Sequence, residues 1–296
     1  MKRVSLMLLL PVLALMALPA SASDRSSARA GAGWLAAHVG AGGDGFAADT
    51  LVALRAAGRL PASAAQRRAA GLRRGARTYV TGAGQAAKVI LGLTAAHRGS
   101  PRCAGSLDLR IAMGRDYARG RYGGNAFDDG LALLALRALR ERVPTAAIGF
   151  LRAARGAGGW NVLLRRDGGP RDDVSSTAIA ILALRAAGVA RGDRGLRAGL
   201  SWMLRQRTPS GGFALGRRDR NEANSTALAI EAARAMGRSA GRAARVLRGL
   251  QRRDGAFQFT ADDAGSRVIA STESVVALSG RIPPVAWVRH PPTGCR

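Results

Sequence analysis

Acidic side chains stand directly before several apolar segments of this sequence, at positions where they could act as acids, bases or ligands. Asp172 and Asp173, for example, precede the mostly apolar residues 177–184. Two carboxyl groups about 5–10 Å apart can hydrolyse a glycosidic bond. A carboxyl group that its surroundings keep protonated can donate a proton. The carboxyl residues placed in this way are Asp128, Asp129, Asp172, Asp173, Glu222 and Glu273.

The same positions also suit helix capping and ligand binding without catalysis. A side-chain oxygen ahead of an apolar run can cap the N-terminus of a helix, and a carboxylate there interacts favourably with the helix dipole. Helix N-termini also bind anions through free backbone N–H groups. No catalytic residue is assigned from the sequence. The residues predicted to contact a ligand are Asp128, Asp129, Asp172, Asp173, Asn221, Glu222 and Asn224.

The first residues of the chain have the pattern of a signal peptide. Lys2 and Arg3 form a basic start, residues 6–18 are apolar apart from Pro11, and residues 20–22 form a small-residue cleavage motif. The apolar run is shorter than the roughly 20 residues that a transmembrane helix needs. We therefore expect a signal peptide at 1–22, one domain at 23–296, and secretion or retention in the cell envelope.

Cys103 and Cys295 are the only cysteines of the sequence. In an oxidising compartment such a pair is expected to form a disulfide. The alternative is a zinc site with His97 and His290, although these spacings differ from the common zinc patterns. The sequence therefore predicts a Cys103–Cys295 disulfide, no metal and no cofactor.

The chain is strongly basic, with 46 Lys and Arg against 19 Asp and Glu and a formal net charge of +27. Such a charge attracts anionic partners, although solvated helix faces rich in arginine are the simpler interpretation. No motif that combines aromatic and basic residues indicates recognition of nucleic acid. The expected partners are an unidentified small molecule or an anionic component of the cell envelope. We expect no specific nucleic acid and no transmembrane span.

A repeat of two helices joined by a glycine-rich turn runs through the chain. The turn ends in an aromatic residue, as at residues 202–213 and 247–257. The second helix contains a Ser-Thr pair, so that Thr177 recurs as Thr226 and again as Thr272. A period of about 40–50 residues is typical of helical hairpins that bury their faces against one another. We count six such hairpins.

The second helix of each hairpin is more apolar than the first. Residues 131–136 have no polar stripe, which indicates a helix buried on both sides. The sequence thus predicts an all-α fold, an α/α toroid with second helices inside and first helices outside; an open solenoid is the alternative. Six segments are expected to form the inner ring, and they contain no Phe, Tyr or Trp. They are residues 48–58, 85–96, 129–140, 175–187, 222–236 and 271–279.

This pattern resembles the superfamily of α/α toroids that includes terpene cyclases and the β-subunits of protein prenyltransferases. The turns at 206–213 and 251–257 are similar to the Gln-and-aromatic repeats of squalene-hopene cyclases. The helix starts at 176–178 and 225–227 are similar to those of cobalamin carriers. The resemblance covers residues 30–280, and it implies the toroid fold with a cyclase, a prenyltransferase or a carrier activity.

The residues match these activities incompletely. The DxDD acid motif of class II cyclases has its nearest match at Asp172-Asp173, where Pro170 replaces the first aspartate. The inner segments lack the aromatic faces that stabilise carbocations. The zinc ligands of the prenyltransferases are not evident, and the segment after residue 280 is shorter than the second domain of the carriers.

We therefore expect an exported toroid that is a non-catalytic binding or interaction module. The alternative is a terpene-cyclase-like or carbohydrate-active enzyme that uses Asp172 or Asp173 as its acid.

Overall fold

The computed structural model describes residues 20–215 and 220–295, so residues 1–19 of the expected signal peptide lie outside it. Within this part the chain forms twelve α-helices and one short β-hairpin, β1 (Cys103–Ala104) with β2 (Leu107–Asp108). The outer helices are α1 (Ala22–His38), α3 (Ala62–Tyr79), α5 (Leu109–Gly114), α7 (Thr145–Ala153), α9 (Arg194–Arg205) and α11 (Gly241–Gly249). The inner helices are α2 (Gly45–Ala56), α4 (Ala83–Ala96), α6 (Ala126–Ala138), α8 (Val174–Ala186), α10 (Ala223–Ala235) and α12 (Arg267–Ser279).

The six inner helices form a closed ring. Each contacts the next along the chain, and α12 returns to contact α2, while α1 packs against α12. The predicted toroid of six hairpins is confirmed, and the open solenoid is excluded. None of the helices in the described part combines the length and apolar character needed to span a bilayer.

Small residues let the inner helices approach closely. A Cβ atom on Gly92 of α4 would lie 2.9 Å from the Cα atom of Ala48 in α2, and one on Gly130 of α6 would lie 2.5 Å from the Cγ1 atom of Ile179 in α8. The first eleven residues of α8 are all buried, as expected for a helix with neighbours on both sides. Glycine and alanine at these crossings therefore allow six helices to share one small ring.

In the last three hairpins the aromatic residue of the turn is fixed by a hydroxyl group on the following inner helix. The Thr226 hydroxyl accepts a hydrogen bond from the backbone N–H of Phe213 (3.0 Å) and donates one to its carbonyl (3.2 Å). Thr177 makes the same pair of bonds with Trp160, at 2.9 and 3.3 Å. Because both aromatic side chains are buried, these contacts hold each turn against the ring.

In the last hairpin this hydroxyl belongs to Ser271, which accepts from the backbone N–H of Phe257 at 2.9 Å. The expected alignment of Thr272 with Thr226 is therefore wrong by one residue. The turn before α12 differs in length from the earlier turns. Alignment by residue type therefore pairs Thr226 with Thr272, although Ser271 is the structural equivalent. Thr272 instead lines the centre of the ring.

The inner helices of the first half begin earlier than expected, at Gly45, Ala83 and Ala126. Phe46 and Phe127 therefore belong to inner helices, and the expectation of aromatic-free inner helices is wrong for α2 and α6. Asp44 and Asn125 cap these helices through their side chains and so define the earlier starts.

The C-terminal segment crosses one face of the ring. After α12 the chain reaches α6 on the opposite side, where the backbone N–H of Val288 donates to the carbonyl of Ala138 at 2.9 Å. Val285 and Ala286 are buried on the way. Cys295 then forms the predicted disulfide with Cys103, so neither cysteine is available as a zinc ligand. Residues 280–295, called here the C-terminal strap, therefore close the C-terminal face of the ring.

The hydroxyl contact can be tested with Thr226→Val, which keeps the side-chain shape but removes both hydrogen bonds. Because the N–H of Phe213 is then buried without a partner, the free energy of unfolding should fall by about 1–3 kcal/mol. The exposed Thr78 of α3 supplies the control, Thr78→Val. Chemical denaturation that finds equal losses in the two variants would show that the buried hydroxyl has no special role.

The disulfide should also stabilise the fold, because it closes a loop of 192 residues in sequence separation. The double variant Cys103→Ser/Cys295→Ser should lose at most about 5 kcal/mol of unfolding free energy, which is the chain-entropy value for a loop of this length. Denaturation with and without a reductant measures this loss. The reductant should destabilise the wild type and leave the double variant unchanged; an equal effect on both would contradict the assignment.

Candidate functional site

A cavity of about 150 Å³ lies at the centre of the ring. All six inner helices contribute side chains to it, and residues 283–286 of the C-terminal strap complete the wall. An apolar cavity of this volume holds a molecule about as large as benzene, whereas sites for drug-sized ligands run from about 300 to 1,000 Å³. The site is therefore suited to a small molecule.

Most of the cavity wall is aliphatic. Leu131 and Leu134 of α6, Leu182 of α8 and Val276 of α12 all line it. Phe127, at the start of α6, is the one aromatic residue among the side chains that line the cavity. The site thus excludes water from most of its surface while offering little aromatic surface to a cation.

Asp49 and Lys88 form an ion pair at the cavity wall. The Nζ atom of Lys88 lies 2.6 Å from the Oδ2 atom of Asp49 and donates a hydrogen bond to it. Burial lowers the pKa of Lys88, but attraction to Asp49 and this hydrogen bond outweigh burial, so that the net shift raises the pKa. The lysine is therefore charged and its charge is largely matched by Asp49.

Two further carboxyl groups line the cavity without such a partner. Burial, with repulsion from Asp49, raises the pKa of Glu273 to about 7, while Lys88 opposes the shift. Burial and repulsion from Glu273 raise the pKa of Glu231 well above its ordinary value, against the attraction of Arg234. The Oε2 atom of Glu273 is buried without a hydrogen-bond partner. Because ionisation is costly here, the two groups keep protons to higher pH than ordinary carboxyl groups.

Arg234, whose charge attracts Glu231, is held by other groups. Its Nη2 atom lies 3.5 Å from the Oδ2 atom of Asp24, which also pairs with Arg248 of α11. Arg234 also donates a hydrogen bond to the carbonyl of Ala277. This cluster joins α1, α10, α11 and α12 and holds Arg234 in place, although one carboxylate is shared by two arginines.

The helix-start residues predicted to bind a ligand lie outside this cavity. Asp172 accepts hydrogen bonds from the backbone N–H groups of Gly158 (3.0 Å) and Gly159 (2.8 Å). Asn221 has the corresponding place in the next repeat and accepts from the hydroxyl of Thr208 at 2.6 Å. In the structure both side chains hold the glycine-rich turns.

Asp173 and Glu222 occupy the N-cap positions of α8 and α10. Asp173 accepts from the backbone N–H of Ser176 at 2.7 Å, although burial raises its pKa. Glu222 accepts from the backbone N–H of Leu215 and from the hydroxyl of Ser225, at 2.9 and 3.0 Å. These carboxyl groups organise the loops that lead into the ring.

Asp129 takes the place that Thr177 and Thr226 have in later repeats. It accepts a hydrogen bond from the backbone N–H of the buried Tyr122, and burial raises its pKa to about 6. Asp128 accepts from the side-chain amide of Asn125 at 2.7 Å. The Oδ1 atom of Asn224 is buried and has no hydrogen-bond partner.

The structure therefore separates the predicted ligand contacts around the N-terminal ends of the inner helices and does not gather them. Asp172 and Asp173 line a surface depression beside Trp202. Of the carboxyl groups considered from the sequence, Glu273 reaches the cavity. Asp49, Lys88 and Glu231 were missed, and the available signal was a charged residue within a mostly apolar inner helix.

Comparison with solved structures identifies the fold. The type II terpene cyclase MstE from Scytonema matches with a TM-score of 0.61 and 15% sequence identity, over 87% of this chain and 98% of the cyclase. The same enzyme in variant form, in complex with geranylgeranyl dihydroxybenzoate (substrate), matches with a TM-score of 0.60 over 97% of its length. The chain has the fold of a type II terpene cyclase. No protein-family model and no curated protein matches the sequence.

The high pKa of Glu273 predicts a pH-dependent stability. The folded protein binds this proton up to about pH 7, while the unfolded chain releases it near the ordinary glutamate pKa of 4.5. The contribution of Glu273 to stability should therefore be complete below pH 4.5 and be lost as the pH rises through 7. Glu273→Gln should abolish that loss, which amounts to about 3 kcal/mol at pH 8.

Denaturation at pH 5 and pH 8 measures how much the free energy of unfolding changes with pH in the wild type and in the Gln variant. Asp167→Asn is the control, because it removes a carboxyl group from an exposed loop. If Glu273→Gln retains the slope of the wild type, the buried carboxyl group is not its source.

Proposed function

We propose that this protein is an exported α/α toroid that binds a small, mainly apolar molecule in its central cavity without transforming it. The observation that carries the proposal is an aliphatic cavity inside a closed ring, with a buried carboxyl oxygen at its wall, the Oε2 atom of Glu273, that has no hydrogen-bond partner. Buried polar groups without partners are rare in folded proteins and usually have a specific explanation. A bound molecule would supply the missing partner.

The dimensions of the site favour binding over cyclisation of a long polyprene. The cavity volume of about 150 Å³ is below the usual range for sites that hold drug-sized molecules. Residues 283–286 of the strap occupy one end of the ring and limit the space. A ligand with about six to eight non-hydrogen atoms fits this description, with a Kd on the order of 10 µM to 1 mM.

Export is part of the proposal and is supported by two features. The sequence of residues 1–22 has the pattern of a signal peptide, and the Cys103–Cys295 disulfide fits an oxidising compartment. The net charge of +27 supports an anionic component of the envelope as a second partner. Arg74 and Arg77 of α3 and Arg242 and Arg245 of α11 are exposed and available to such a partner.

The helix-start residues remain proposed contacts for a ligand at the N-terminal side of the ring. The buried and unpartnered Oδ1 atom of Asn224 supports this role. The other six residues already have partners in the turns and caps. Their contribution to a ligand site would be indirect, through the position of the loops.

Acid catalysis on a small alkene is the second candidate function. Glu231 and Glu273 place carboxyl groups with raised pKa values in an aliphatic cavity, within the fold of a cyclase. A proton donor requires such a carboxyl group. Asp172 and Asp173, the acids expected from the sequence, do not line the cavity.

Calorimetric titration with 1-hexanol and farnesol tests the binding proposal. The wild type should bind 1-hexanol and reject farnesol, because the longer chain exceeds the cavity. Leu131→Trp should abolish binding of 1-hexanol, since the indole ring fills the space beside α6. Leu163→Trp, at an exposed loop position, is the matched control and should bind like the wild type.

Thermal melts first establish that both tryptophan variants fold. Binding of 1-hexanol that survives Leu131→Trp would place the ligand elsewhere and contradict the proposal. Incubation with a small alkene such as 2-methyl-2-butene, followed by chromatography, tests the second candidate. A new product that disappears in Glu273→Gln would show acid catalysis instead of binding alone.

A further inference from the structure

We infer that the ligand of the central cavity is a small organic cation, a protonated amine with a short hydrocarbon body, and that Glu231 and Glu273 receive its ammonium group. The inference rests on the proposed function and names the class of molecule that the site takes. It follows from which groups at the cavity wall are paired and which are not.

The two glutamates lie on neighbouring inner helices, α10 and α12, and both line the cavity. The Glu231 side chain is only 4% exposed. Within the described residues neither glutamate takes part in an ion pair, and the Oε2 atom of Glu273 is buried without a hydrogen-bond partner. An ammonium group has three donors and no acceptor, so it can satisfy both carboxyl groups at once.

The other charged groups around these glutamates leave a negative excess in the cavity. From α2 and α4, Asp49 and Lys88 face the site as a close pair. Tyr79 of α3 lies near that pair. Behind Glu231, Arg234 is paired with Asp24 of α1. Asp24 is shared with Arg248, so this cluster keeps one positive charge, which attracts Glu231. With Glu231 and Glu273 both ionised, the groups named here carry a net charge of about minus one, and a ligand with a single positive charge balances it.

The rest of the wall suits a short hydrocarbon body. Leu131, Leu182 and Val276 present aliphatic surface in the same cavity. Burial of hydrocarbon against such surface is favourable. A molecule with a cationic end and an aliphatic body therefore complements both parts of the site, whereas an alcohol leaves the carboxylates unmatched and an anion adds repulsion.

The charge of the whole protein makes this preference easy to test. With a net charge of +27, the surface repels amines and attracts carboxylates. Non-specific binding would therefore favour hexanoate, while the cavity should favour hexylamine. Binding at the surface and binding in the cavity therefore predict opposite orders of affinity for hexanoate and hexylamine, which have the same hydrocarbon chain.

Titration calorimetry of the full protein at pH 8 with hexylamine, 1-hexanol and hexanoate distinguishes these cases. Hexylamine should bind about tenfold or more tightly than 1-hexanol, as expected for a buried charge-assisted hydrogen bond. Hexanoate should not enter the cavity. At pH 7, binding of hexylamine should also release protons, because the ammonium group favours ionised carboxyl groups; buffers of different ionisation enthalpy count these protons.

The double variant Glu231→Gln/Glu273→Gln should lose the preference for hexylamine and keep its affinity for 1-hexanol. Asp167→Asn, on an exposed loop, should behave as the wild type. If the double variant does not fold, the order of the three ligands on the wild type and its proton release still decide the question.

Equal binding of hexylamine and 1-hexanol, or tighter binding of hexanoate, would overturn the inference while leaving the proposed binding function intact. Binding of none of the three would overturn both. Retention of the hexylamine preference in the double variant would show that the ammonium group binds elsewhere, and that result would also overturn the assignment to Glu231 and Glu273.

Discussion

The hydrogen bond between an inner-helix side chain and the preceding turn fixes the geometry of the ring. Thr177, Thr226 and Ser271 each hold the backbone of a buried turn aromatic, and Asp129 does the same for Tyr122. The contact joins the glycine-rich turn of a hairpin to the helix that follows it. Without it, a buried backbone N–H group would lack a partner, which is costly. The turn, the cap and the packing of the aromatic side chain all depend on this one position.

Closure of the ring of inner helices and the C-terminal strap together produce the cavity. Small residues bring neighbouring inner helices close, as at Gly92 against Ala48. The strap then fills one face of the ring and is tied back by Cys103 and Cys295. What remains is a space of about 150 Å³ with aliphatic walls and carboxyl groups. The same packing that stabilises the fold therefore sets the size and charge of the site.

The sequence predicts the architecture better than the site. Periodicity and turn composition identify six hairpins. Glycines with left-handed backbone follow the ends of three inner helices at Gly58, Gly188 and Gly237, with φ of 68°, 94° and 73°. These features are local, and each repeat reinforces the others. The cavity depends on residues far apart in sequence, such as Asp49 and Glu273. The partner of a helix-start carboxyl group is also set by the fold, which is why Asp129 was not recognised as a turn-binding residue.

Closure of the ring has a consequence for how the protein unfolds. In an open array of helical repeats the terminal repeats have one neighbour each, so they fray and need special capping sequences. Here α2 and α12 contact each other, and every inner helix has a neighbour on both sides. The array has no end at which fraying can start. Loss of any one hairpin exposes two apolar faces instead of one, so the protein should unfold as a single cooperative unit.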